Sequence, residues 1–209
     1  MVRQSEHLRT ILDIQYDYLN GLAEEIGKTD HLLAKKNMNL IKSITKHTDF
    51  GGTALIKPNG DAHYDNGLIK NLSHRRYFKE VISGKRTLSD PLDSSISGST
   101  RVVLGVPIYN SKHKVIGALG GSYDVTALSR MLFEDLFNGQ GCSMIIAQNG
   151  EIIAFEGDTS YWNLDYRDNF YKYCCKWIIK DKVTVKKIKQ DFKEGKENLV
   201  FVGDGINDA

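Results

Sequence analysis

Cysteine is scarce in this chain, three residues in 209, and proline is equally scarce at three. Cys142, Cys174 and Cys175 leave no even-numbered disulfide framework and no metal-ligand spacing. The vicinal pair Cys174 and Cys175, set among Tyr171, Tyr173 and Trp177, reads as semi-buried thiols rather than a redox site. The histidines (His7, His31, His47, His63, His74 and His113) are scattered without metal spacing. Serine, histidine and aspartate occur without a nucleophile elbow, and Gly-Lys-Arg at 84–86 lacks the frame of a phosphate loop. No metal and no cofactor is expected. Charge of one sign is also lacking: the net charge is +2, with no basic stripe interleaved with aromatics, which disfavours nucleic-acid binding. The lysines between Lys176 and Lys196 alternate with Asp181, Asp191 and Glu194, the pattern of a solvated helix face. No apolar run approaches the roughly 18 residues that span a bilayer, and no leader is visible at Met1. No Pro-rich or low-complexity linker divides the chain.

What is present is an ordinary globular balance, 41% hydrophobic and 26% charged, long enough for one or two domains. Residues 5–27 read as a helix: Leu8, Leu12, Leu19, Leu22 and Ile26 form an apolar stripe at helical spacing, with Ile11 beside it. Gly27 is the expected stop, and Thr29 or Asp30 the expected cap of a second helix running to about Lys46. From Gly52 the period changes. A short strand from Thr53 to Lys57, a Pro58-Asn59-Gly60 turn and a return strand from Ala62 to Tyr64 predict a hairpin. A helix with Tyr77, Phe78, Val81 and Ile82 on one face ends at Gly84. Two strands, Arg101 to Tyr109 and Lys114 to Asp124, follow around a polar Asn110-Ser111-Lys112-His113 turn, then a helix from Val125 to Phe137. Cys142 to Ala154 repeats strand, Asn149-Gly150 turn and strand; helical runs at about 167–180 and 183–194 and a strand from Leu199 to Val202 complete the chain. Two strand-Asn-Gly-strand units in tandem predict two similar sheet modules. The second is short of strands, being either incomplete or unusually paired.

The stretch from Asn71 to Asp124 carries the chemistry. An Arg-x-Tyr-Phe tetrad (Arg75 to Phe78) opens a helix, a Ser-Asp-Pro turn (Ser89 to Pro91) follows, and two strands end in Gly-Val-Pro-Ile (Gly105 to Ile108) and Gly-Gly-Ser-Tyr-Asp (Gly120 to Asp124). Arg75 offers a planar fork for a carboxylate or phosphate. Tyr77 offers an apolar body with a hydroxyl. Ser122 and Asp124 offer acceptors for an amine or hydroxyl, and Asp90, Asp93 and Ser95 lie on a loop able to close over the site. Scaffold roles compete with each of these. Arg75 could pin the loop by pairing with Asp90, Phe78 could be core, and Asp124 could cap the Val125 helix.

This ordered set resembles the ligand-binding half of a double Cache domain, the extracytoplasmic sensor of bacterial membrane receptors. The resemblance is firm over 52–137 and looser afterwards. It implies an α+β fold: a long N-terminal helix with two tandem PAS-like antiparallel-sheet modules. The expected divisions are a helical stalk at 1–48, a membrane-distal ligand-binding module at 49–140 and a membrane-proximal module at 141–209. It further implies that the chain is no enzyme. Its expected role is to sense a small polar or anionic ligand, such as an amino acid or carboxylate, outside the cell. It would be held by flanking transmembrane helices, and a homodimer could form through the N-terminal helix. The output would be a cyclase, phosphodiesterase, histidine kinase or chemoreceptor module. Amino-acid-sensing members carry an Arg-x-aromatic-aromatic element, which Arg75, Tyr77 and Phe78 match. The family's loop tyrosine and aspartate fall on Leu92 and Ser94, and its strand aspartate on Ser122, so the amine-binding acids are weakened. A different small anion fits as well.

A rival string closes the chain. Val202-Gly203-Asp204-Gly205-Ile206-Asn207-Asp208-Ala209, after Leu199-Val200-Phe201, resembles the Mg²⁺ loop of haloacid dehalogenase-type phosphatases, with Lys186 or Lys187 as the phosphate lysine. The matching nucleophile loop has one approximation, Asp49-Phe50-Gly51-Gly52-Thr53, and it follows a stretch too polar for a central parallel strand. A ligand-free dimerisation module is the third reading.

Overall fold

The computed structural model describes residues 2–29, 31–90, 92–93 and 100–124, and three later strands at 142–147, 152–157 and 199–204. Contacts divide the chain into two compact units, Thr10–Asp124 and a second formed by Met1–Arg9 with Val125–Ala209.

Helix α1 (Val2–Gly27) belongs to the first unit from Thr10 onward. Its buried stripe is Tyr16, Leu19, Ala23 and Ile26, the 3–4 residue spacing of one helical face. Leu12 and Leu22 flank it half-buried. Helix α2 (Lys35–His47) buries Asn37, Ile41 and Ile44. Its N-cap is Ala34, without a side-chain cap bond, rather than Thr29 or Asp30. Thr29 serves the end of α1 instead: its hydroxyl donates to the Ile26 carbonyl (2.7 Å) and accepts from Asn37 Nδ2 (2.8 Å). That exchange ties the two helices at their corner.

Seven strands form one antiparallel sheet: β1 (Gly52–Ile56), β2 (Asp61–Tyr64), β3 (Ile69–Asn71), β4 (Thr87–Leu88), β5 (Leu92–Asp93), β6 (Thr100–Tyr109) and β7 (Val115–Asp124), with helix α3 (Arg76–Ile82) between β3 and β4. The spatial order is β3-β2-β1-β7-β6-β4, with β5 also on β6. The β1–β2 hairpin is the one that Asn59-Gly60 predicts. Gly60 takes φ +93°, and a Cβ there would crowd Ser73, so the turn requires glycine. The short strands β3, β4 and β5 have no counterpart in the sequence reading. At two or three residues each they are too brief to show a period.

Alternation assigns two faces to the sheet. Leu55, Val102, Leu104, Val106, Ile108, Leu119 and Tyr123 fill one face and are at most 3% exposed. The helices α1 and α2 cover this face. Thr53 Oγ1 donates to the Ile41 carbonyl of α2 (2.7 Å), and Gly27 ends α1 so closely on the Tyr109 carbonyl that no Cβ fits there. Phe50 packs edge-on against Tyr123 at 4.6 Å between ring centres. Arg86 joins α1 from the far side, pairing with Asp13 (2.9 Å) and lying 4.9 Å over the Tyr16 ring.

In the second unit β8 (Cys142–Ala147), β9 (Ile152–Gly157) and β10 (Leu199–Asp204) form a separate sheet in the order β10-β8-β9, all pairs antiparallel. The α+β class and the two antiparallel sheets agree with the sequence reading. The helices expected at 125–137, 167–180 and 183–194 lie outside the described residues.

Candidate functional site

The opposite face of the main sheet is built from small residues. Ala54 stands opposite Gly120, Gly52 opposite Ser122, Ala118 opposite Ile56, and Gly120 opposite Gly105. Ala62 and Tyr64 share this face on β2, paired with Ile56 and Ala54. A floor of glycine, alanine and serine leaves room above it that a floor of leucine or valine would fill. Helix α3 lies over this floor. Tyr77, Phe78 and Val81 pack with Ala54, Ile56, Ala62, Leu72 and Ala118, and Tyr64, Ile82, Leu92 and Val103 pack around them half-buried.

Tyr77 and Phe78 are 7% and 6% exposed. Phe78 is therefore a core residue, the scaffold role weighed for it. The Tyr77 hydroxyl is pushed up to about 12 by burial first and by the neighbouring Tyr64 second; the Arg75 charge opposes both. Tyr64 is raised by burial, again against Arg75. The two phenols and the guanidinium therefore share one neighbourhood. Arg75 is the N-cap of α3, in extended backbone (φ −76°, ψ 136°), and its side chain is exposed at the rim.

The Arg75–Asp90 pin is not what forms. The neighbouring Arg76 pairs with Glu80 at 3.1 Å and feels the Asp90 charge. Asp90 is exposed, and its carbonyl accepts from Ser89 Oγ (2.7 Å). Ser89 is 1% exposed and also accepts from the Val103 amide (2.8 Å), fastening the Ser-Asp-Pro turn to β6. The backbone of Asp93 lies in β5 opposite Thr100, and Leu92 lies opposite Arg101. Ser95 lies outside the described residues. Ser122 is half-buried on the floor, and its hydroxyl donates to the Gly52 carbonyl (3.1 Å). Asp124 stands opposite Arg101 at the end of β7. The helix it was read as capping lies outside the described residues.

The structure thus gathers Arg75, Tyr77 and Ser122 around the same face, with Leu92 as a wall. Tyr64 was missed because the sequence reading stopped at its strand. Parity with Ala62 was the available signal: two residues on, it must share the inner face. A separate groove of about 380 Å³ lies between Gly27–Thr29 and Asn110–Lys112, closed by Leu32 and Ile116. Among the described residues no cluster of three or more His, Cys, Asp or Glu could hold a metal, and no helix is long and apolar enough to cross a membrane.

The phosphatase-like strings fall in an unsuitable frame. Gly203 and Asp204 lie in β10, antiparallel to β8 with Asp204 opposite Cys142. Gly52 and Thr53 lie in β1, antiparallel to both of its neighbours. The loop those strings imitate follows a parallel strand.

No protein-family model matches the chain, and no curated protein does. Solved structures do. The ligand-binding domain of the amino acid chemoreceptor PctC of Pseudomonas aeruginosa, in complex with GABA, matches with a TM-score of 0.62 at 12% identity, over 82% of this chain and 79% of that one. The sensory domain of a Campylobacter jejuni chemoreceptor with isoleucine bound gives 0.61 at 13%, over 78% and 71%. The ligand-binding domain of the Pseudomonas fluorescens chemoreceptor CtaA with L-serine gives 0.63 at 14%, over 83% and 74%. At such identities it is the architecture that is common to them, and this chain has the fold of bacterial chemoreceptor sensory domains, the α+β arrangement that the sequence resemblance implies.

Proposed function

We propose that the chain is the extracytoplasmic sensing domain of a membrane-bound signalling receptor and that it binds a small polar or anionic ligand without transforming it. One observation carries the reading. In a fold that serves elsewhere as a ligand-binding domain, one sheet face is floored by Gly52, Ala54, Gly120 and Ser122, walled by Tyr64 and Tyr77, and rimmed by Arg75. Arg75 supplies the bidentate fork for an anionic group. Tyr64 and Tyr77 supply apolar walls with hydroxyl tips. Ser122 on the floor supplies a hydroxyl, and Asp90, Asp93, Ser95 and Asp124 complete the ligand contacts in this reading. The membrane-distal module at 49–140 holds this site, with the stalk at 1–48 and the proximal module at 141–209 carrying its response. Flanking transmembrane helices anchor the receptor, and pairing through α1 gives a homodimer. The ligand signals by favouring one arrangement of helix and loop over another.

The test is a thermal-shift screen of small carboxylates and amino acids against the purified chain, run beside a generic phosphate-ester assay with Mg²⁺. A saturable stabilisation lost in Arg75→Ala supports the reading. Phosphate-ester turnover that disappears in Asp204→Ala would overturn it in favour of an enzyme.

A further inference from the structure

The groove at the corner of α1 and α2 has a chemistry of its own. Its volume of about 380 Å³ is in the range of small-ligand pockets. Lys28 and Leu32 line it from the corner, and Asn110, Ser111, Lys112 and Ile116 from the β6–β7 hairpin. Both walls are held by the fold. Leu32 seats on Gly117, where an added Cβ would stand 2.6 Å from Leu32 Cδ2. On the hairpin, Asn110 Oδ1 accepts from the amides of Lys112 and Lys114, each at 3.0 Å, and His113 takes φ 54° within the turn. The hairpin wall offers donors. Asn110 commits its side-chain oxygen to the turn, which leaves Nδ2. Among the described residues neither that amide, nor Ser111 Oγ, nor Lys112 Nζ has a hydrogen-bond or ion-pair partner. The acid on the corner side is Glu25, and it is committed twice, to Lys28 at 3.0 Å and to Lys36 at 2.9 Å. Glu24 acts on Lys28 through its charge. Lys112 is thus an unpaired ammonium at the mouth of a shaped cleft, whose low-dielectric walls concentrate its field. The base of the cleft, Leu32 and Ile116, is apolar and half-buried.

We propose that this groove is a second ligand site, separate from the sheet floor, and that it takes a small organic anion with an apolar body. The carboxylate lies against Lys112, the Asn110 amide and the Ser111 hydroxyl, and the hydrocarbon lies on Leu32 and Ile116. A carboxylate is an acceptor without donors, and the hairpin wall presents ammonium, amide and hydroxyl hydrogens to it. Lys112 is exposed, so its charge is a weak anchor by itself. The apolar contact supplies the remainder, because covering Leu32 and Ile116 removes their surface from water. An inorganic anion covers neither. None of these residues belongs to the sheet-floor site, so the inference stands apart from the sensor reading. A bound anion bridges the corner to the hairpin beside the point where Gly27 rests on the Tyr109 carbonyl.

The experiment titrates hexanoate, hexylammonium and inorganic phosphate into the isotope-labelled chain and follows its amide signals by NMR. Wild type, Arg75→Ala, Lys112→Gln and Lys112→Arg are compared, with a urea melt of each as the folding control. Hexanoate should shift the signals of Ser111, Lys112 and the Asn110 side-chain amide saturably, and equally in the wild type and Arg75→Ala. Lys112→Gln should weaken that binding by roughly two- to fivefold, the range for an exposed ion pair, and Lys112→Arg should restore it. Surface substitutions of this kind leave folding intact. Groove signals that stay still up to about 10 mM hexanoate, ten times a millimolar Kd, overturn the proposal. Hexylammonium or phosphate binding as tightly as hexanoate also overturns it, as does Lys112→Gln binding like the wild type. Hexanoate shifts that vanish in Arg75→Ala would place the anion on the sheet floor, which refutes this second site and supports the sensor reading.

Discussion

Two adjacent glycines on β7 should respond in opposite ways to the same added methyl. Gly121 faces the helical layer. A Cβ built there would stand 2.5 Å from Phe50 Cδ1 and 3.2 Å from Cγ, and Phe50 is itself 1% exposed and wedged against Tyr123. The ring has nowhere to retreat, so Gly121→Ala should be destabilising by the amount typical of overpacking, about 1–3 kcal/mol. For a unit of this size that is roughly 4–15 °C in Tm. Gly120 faces the floor. Its built Cβ meets Ile56 Cδ1 and Val103 Cγ1 at 3.6 Å and the Ala54 carbonyl at 4.0 Å, all ordinary contacts. Gly120→Ala should fold at least as well as the wild type, gaining about 0.4–1 kcal/mol from the reduced freedom of the unfolded chain. The new methyl occupies the pocket floor instead. A misfitted methyl in a binding site is worth about 1–3 kcal/mol, so the carboxylate that stabilises the wild type should bind roughly ten- to 200-fold more weakly. Urea melts and calorimetric titration of both variants make the assay. Equal stability of the two alanine variants would refute the assignment of the two faces. Unaltered binding by a folded Gly120→Ala would show that the floor does not touch ligand.

Arg75→Ala should fold normally and lose roughly ten- to 150-fold in ligand affinity by calorimetry, with Arg75→Lys intermediate because a point charge replaces a planar fork; a variant binding like the wild type would return Arg75 to the scaffold. Thr53→Val removes a buried bond to the Ile41 carbonyl, and should lower the urea-derived stability by about 1–2 kcal/mol without affecting ligand binding. Tyr77 is pushed from 10.0 up to about 12 chiefly by burial. Its neutral form is the one the fold favours, so this contribution is intact below pH 10, where the unfolded phenol is also protonated, and fades as pH rises through about 12. Tyr77→Phe should flatten the loss of stability between pH 10 and 12 measured by chemical denaturation, and an unchanged slope would place that titration elsewhere.

The sequence carried the long elements and lost the short ones. The α1 stripe, the Asn59-Gly60 hairpin and the two ten-residue strands β6 and β7 each extend over enough residues to display a period or a turn signal. β4 and β5 have two residues apiece. They exist because β6 offers an edge, a condition that local sequence cannot express. The site divided along the same line. Arg75, Tyr77 and Ser122 stand within motifs, whereas Tyr64 joins them through register alone. The expected cap of α2 failed for a related reason: the Thr29 hydroxyl is occupied by the end of α1 and by Asn37.

The way α1 is seated limits how it can move. From Asp13, held by Arg86, to Gly27, pressed on the Tyr109 carbonyl, the helix runs about 21 Å at its usual rise. Between those points Tyr16, Leu19, Ala23 and Ile26 are all buried. Sliding the helix by one turn would lift four side chains from their seats and drive a backbone carbonyl into the Gly27 step. Fastened at both ends of this span, α1 and the sheet form a single lever arm. Displacement of the sheet by a ligand would leave the domain as a tilt of that arm, and a piston stroke along the helix axis would have to break the joint first.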